Sequence, residues 1–90
     1  MPGAILDIDE LRRFIHSFGT ICGNLREQKD HMNSKFRDLN EVWRDSRYDK
    51  FEQSFKETVD EINQFLRYAE MYADYLQRKA QKAQAYVDGY

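Results

Sequence analysis

The chain has a single cysteine, Cys22, so no intrachain disulfide framework can hold it together. One proline and four glycines in ninety residues, with 41% hydrophobic and 33% charged side chains, describe a small globular domain rather than a disordered segment. Neither sign of charge dominates: 14 basic and 16 acidic residues leave a net charge of −2. No basic block is present to neutralise phosphates, and nucleic acid is not an expected partner. No acidic tail is present either. Apolar runs last only a few residues, which argues against membrane insertion. The opening Met-Pro-Gly-Ala-Ile-Leu-Asp lacks a basic n-region and a long apolar h-region, so a cleaved signal peptide is not expected. Synthesis in the cytoplasm follows, with export by a route that needs no cleaved signal left open.

Chemistry is equally sparse. His16 and His31 stand fifteen residues apart with no His or Cys at helical spacing, so no metal site is expected. There is no Gly-rich phosphate loop and no Ser-His-Asp set. Carboxylate pairs such as Asp60-Glu61 fall on polar helix faces and read as solvated charge. Cys22 lies beside an apolar stripe, where a thiol packs as a small hydrophobe. No catalytic residue, cofactor or metal is expected, and the chain is read as a non-enzyme.

What is abundant is heptad order. Leu11, Phe18, Leu25, Met32 and Leu39 are spaced by seven. Phe14, Ile21 and Val42 fall three residues after members of that series, and Ile15, Cys22, Phe36 and Trp43 widen the stripe. Gln28, Lys29 and Lys35 interrupt it. Asp7 and Asp9 offer helix caps, with Glu10 near the positive end of the dipole. The pattern predicts an amphipathic helix over about 8–42, roughly 50 Å long.

The run Trp43-Arg44-Asp45-Ser46-Arg47 breaks it. Ser46 with Asp49 suggests a capping-box variant, and Asp45 is the alternative cap. A second heptad follows: Tyr48, Phe55, Ile62, Ala69, Leu76, Ala83 and Tyr90. Phe51, Thr58, Phe65, Tyr72 and Tyr86 sit three residues after members of it, and Val59, Leu66, Ala73, Ala80 and Val87 flank them. This predicts a turn over about 43–47 and a second helix over about 47–87. A short break between long helices implies antiparallel neighbours, so the fold class is all-α: one two-helix hairpin domain over 1–90. One continuous helix in a parallel coiled coil is the alternative, since the break holds neither Gly nor Pro.

The apolar stripe is wider than one seam. Ile15, Phe36, Phe51, Phe65, Tyr68, Tyr72 and Tyr75 form shoulders, and each aromatic among them can bury about 150–250 Å². Leaving them wet would exceed the apolar patches usual on monomers. A dimer forming a four-helix bundle resolves this, and Phe36, Phe51, Phe65, Tyr68, Tyr72 and Tyr75 are its expected interface. Gly19 and Gly23, four apart, add either a local weakness in the helix or a groove for close helix contact.

A helix, a turn marked by Trp43-Arg44-Asp45 and a second helix with an early aromatic segment (Tyr48, Phe51, Phe55) resemble the bacterial WXG family over nearly the whole length. These are the early-secretory-antigen-like substrates and partners of type VII secretion. Leu76, Lys79, Ala80, Ala83 and Tyr86 look like the family's closing helix. Asp45 stands where the Trp-x-Gly motif has glycine, and Tyr86 is followed four residues later by Tyr90 where the family's export signal has an acid. The resemblance implies a non-enzymatic interaction protein that pairs with itself or a related hairpin. A secretion ATPase or larger cargo is a further implied partner, and Trp43 and Asp45 are the turn motif. A cytosolic coiled-coil structural or adaptor protein is the competing expectation. An enzyme subunit with a site formed only at an interface is the third.

Overall fold

A short acceptor side chain at position 7 begins the first helix. In the computed structural model, which describes residues 6–89, Asp7 Oδ1 accepts the Glu10 backbone N–H at 3.0 Å. Helix α1 then runs Ile8–Asn40 over 33 residues. Asp9 and Glu10 set negative charge against the N-terminal dipole, and Glu10 also pairs with Arg13. Gly19 and Gly23 lie inside α1 at a cost of about 1 kcal/mol each relative to alanine. The tertiary seam offsets that cost.

The turn is made from backbone and one carboxylate. The N–H groups of Glu41, Val42 and Trp43 donate to the carbonyls of Asp38 and Leu39, closing the last turn of α1. Asp45, in extended backbone (φ −127°, ψ 179°), is the N-cap of helix α2, Ser46–Val87, 42 residues. Its Oδ1 accepts the N–H of Arg47 at 2.9 Å and of Tyr48 at 3.1 Å. Ser46, expected from sequence as a cap, is instead the first helical residue. Helix α2 closes on Asp88 and then Gly89 at φ +84°, a left-handed stop that glycine adopts without strain.

The two helices pack antiparallel as one layer, 66 × 22 × 20 Å overall, with no strand among the described residues. The seam corrects the expected heptad. On α1 the series Ile15, Cys22, Phe36 and Trp43 faces α2 together with Leu11, Phe18, Leu25 and Leu39; Phe14, Ile21 and Val42 are exposed. On α2, Val59, Leu66, Ala73 and Ala80 join Phe55, Ile62, Ala69 and Leu76, while Phe65, Tyr72 and Tyr86 point to solvent. In both helices the inward choice is the residue four after a heptad member, not three. Small aliphatic groups fill that set on α2 and let the helices approach, whereas tyrosine hydroxyls favour water.

Three zones of the seam, from the middle to the turn, differ in character. In the middle, Cys22, Leu66 and Ala69 are buried, and Phe18, Leu25 and Ile62 pack on them. Toward the turn, Lys29 occupies a seam position, and its Nζ escapes to Asn63 Oδ1 at 2.8 Å. At the turn, Phe36 stacks on Phe55 at 4.2 Å between ring centroids and on Tyr48 at 5.6 Å. Trp43 meets Tyr48 edge-on at 5.6 Å. The register that sets Phe36 against Phe55 also sets Cys22 beside Ala69. Tyr90 and residues 1–5 lie outside the described residues.

Candidate interaction surface

A helix advances by about 100° per residue, so a side chain next to a seam residue stands on the flank of the hairpin. Phe65, Tyr68, Tyr72 and Tyr75 immediately precede the seam residues Leu66, Ala69, Ala73 and Leu76. Phe14 and Ile21 precede Ile15 and Cys22 in the same way. In an antiparallel pair, residues preceding the seam on both helices fall on one side of the hairpin, and residues following it fall on the other. The geometry bears this out. Glu10, Lys79 and Lys82, all preceding, line one shallow depression with Leu11 and Ala83. Arg26 and Glu70, both following, bridge the helices at 2.6 Å.

The two sides differ sharply. The preceding side carries Phe14 and Ile21 from α1 with Phe65, Tyr68, Tyr72 and Tyr75 from α2, at the same height along the hairpin. Ile21 is 62% exposed and Tyr72 65%. Tyr68, Met71, Tyr72 and Tyr75 enclose an open depression of about 390 Å³. The Tyr68 hydroxyl accepts from Gln64 Nε2 at 3.3 Å; neither Tyr72 nor Tyr75 has a hydrogen-bond partner among the described residues. The following side is polar, with Arg12, His16, Arg26, Glu70 and Gln77.

This arrangement sorts the residues expected at the interface. Phe65, Tyr68, Tyr72 and Tyr75 form one exposed stripe. Phe36 does not belong to it: it is a seam residue, half-buried between Tyr48 and Phe55. Phe51 is partly exposed but belongs to the turn cluster, 5.6 Å from Phe36 and 5.9 Å from Trp43. Gly19 and Gly23 follow Phe18 and Cys22, so they lie on the polar side, opposite the aromatics. A Cβ added at either would meet nothing within 4 Å. Sequence reasoning missed Phe14, Ile21 and Met71, which extend the stripe; the signal was available, because each stands one or two positions before a seam residue.

At the turn, Trp43 is half-buried. Hydrogen bonding from its side chain, then from the Tyr48 N–H, holds the Asp45 carboxyl below its ordinary value, with desolvation opposing. Burial, followed by the hydrogen bond to Glu52, raises the Tyr48 hydroxyl. Because Asp45 is in extended backbone, the position does not require the glycine of a Trp-x-Gly motif.

Cys22 is enclosed by the seam, in a cluster with Leu66 and Ala69 on which Phe18, Leu25 and Ile62 pack. Among the described residues no three His, Cys, Asp or Glu side chains are grouped to hold a metal ion, and no helix is long and apolar enough to cross a membrane. No protein-family model, curated protein or solved structure matches this chain.

Proposed function

We propose that this chain is a non-enzymatic interaction module whose aromatic side docks on another helical hairpin, its own copy or a related chain, to complete a four-helix bundle. The carrying observation is the continuous exposed stripe of Phe14, Ile21, Phe65, Tyr68, Tyr72 and Tyr75 on one side of a thin hairpin. The Trp43–Asp45 turn and the resemblance to WXG proteins support a role as substrate, co-substrate or targeting partner in type VII-like bacterial secretion. A cytosolic coiled-coil adaptor unrelated to secretion is the second reading; Tyr90, standing where the family's signal has an acid, favours it.

Two measurements test the proposal. Sedimentation equilibrium at micromolar concentration is expected to show assembly for the native chain and monomer for Tyr72→Glu/Tyr75→Glu. A well-folded native monomer that binds no co-expressed hairpin would refute the docking role. Recovery of the chain outside the cell only when a membrane FtsK/SpoIIIE-type ATPase is intact supports secretion; retention inside with the ATPase intact supports the adaptor reading.

A further inference from the structure

Glu61, Phe65, Tyr68, Tyr72, Tyr75 and Lys79 follow one another along α2 at spacings of four, three, four, three and four. That keeps them on one face, and the spacing reads the same in both directions. The chemistry does not: an acid stands at one end, an ammonium at the other, and four aromatics lie between. Such a stripe is complementary to itself when reversed.

Resting on the docking role proposed above, the geometry points to a second copy of this chain as the occupant, with α2 antiparallel to α2 about a two-fold axis at residue 70. In that register Phe65 meets Tyr75 of the second copy, Tyr68 meets Tyr72, and Glu61 meets Lys79, each contact occurring twice. The charged residues are available for this. The ion pairs of α2 use Glu52 with Lys56, Glu70 with Arg26 and Asp74 with Arg78, which leaves Glu61 and Lys79, both exposed, without an intrachain partner among the described residues.

Helix α1 agrees with the same axis. The register that puts Cys22 beside Ala69 puts Ile21 level with residue 70, so the exposed Ile21 meets its own copy at the two-fold. A parallel two-fold would set α2 against the other copy's α1 and leave Glu61 and Lys79 about 27 Å apart along the axis. The area is sufficient. Five aromatics about half exposed, with Ile21 and Met71, offer roughly 600–700 Å² per copy, within the range of about 600–1,000 Å² per partner in a standard interface.

The turn ends then project in opposite directions. Spin labels at Gln53→Cys, in the full chain with Cys22→Ala, are expected about 50 Å apart by pulsed electron resonance. A separation under about 30 Å would mean a parallel pair and overturn the register while leaving the docking role intact. Glu61→Lys and Lys79→Glu are each expected to weaken dimerisation about 5- to 10-fold at low salt, and the double exchange to restore it to within about twofold. Helicity by circular dichroism separates weakened pairing from misfolding. Single exchanges without effect overturn the Glu61–Lys79 contact. A folded monomer that binds a different hairpin through Tyr72 and Tyr75 overturns the self-pairing alone; a folded monomer that binds none overturns both.

Discussion

Adjacent residues on α2 are expected to respond in opposite ways. Leu66 is 3% exposed and packs with Cys22 and Ala69; Phe65 is 48% exposed. Leu66→Ala removes three buried carbons and opens a cavity. Because the seam is one layer thick and both sides can relax, the lower part of the usual range applies, about 2–3 kcal/mol. For a domain of this size that lowers the melting temperature by roughly 8–20 °C. Phe65→Ala removes more atoms but from the surface, and in the isolated hairpin should cost under about 0.5 kcal/mol. The assay is thermal and urea denaturation followed by circular dichroism at dilutions where sedimentation shows monomer, repeated at concentrations where it shows assembly. Phe65→Ala is expected to abolish the concentration dependence of the melting temperature, and Leu66→Ala to preserve it. If the two substitutions cost the same in dilute monomer, the seam is misplaced by one residue and the exposed stripe with it.

Asp45→Gly is expected to lower the melting temperature much less than Asp45→Ala, because glycine is a tolerated N-cap and no left-handed backbone has to be supplied. Its depressed carboxyl contributes stability that is present above the unfolded-state pKa and is lost as pH falls through the folded one, below about pH 4. Asp45→Asn keeps the cap and should flatten that part of an acid titration followed by circular dichroism. Gly19→Ala and Gly23→Ala each enter open space in a helix and should stabilise by about 0.4–1 kcal/mol in urea melts, with association unchanged in sedimentation. Weakened association would return those glycines to an interface.

Two long helices were legible because a seven-residue repeat runs through each half and restarts after Trp43, and because Asp7 stands where a cap is needed. Which apolar series faces inward was not legible. From Leu11 and Phe18, both the third and the fourth following residue are apolar, giving Phe14 and Ile21 or Ile15 and Cys22. Pattern alone cannot separate two series one residue apart; packing does, since Val59, Leu66, Ala73 and Ala80 fit a close seam and Tyr72 does not. The same ambiguity placed Phe36 outside, although it completes the inward series with Trp43. The side occupied by Gly19 and Gly23 depends on where the seam lies, so it too had to wait for the three-dimensional arrangement.

The position of Cys22 gives the hairpin an internal clock. Its thiol is covered by Leu66 and Ala69 from the opposite helix, so a small disulfide reagent reaches sulfur only when the helices part. The rate of its modification, divided by the rate for an unfolded peptide, gives the fraction of time the centre of the seam is open when reclosing outpaces modification. No label or substitution is needed for that reading. Adding protein should slow the reaction as copies or partners hold the seam shut, converting a binding event at the outer face into a colour change from a sulfur that never touches it.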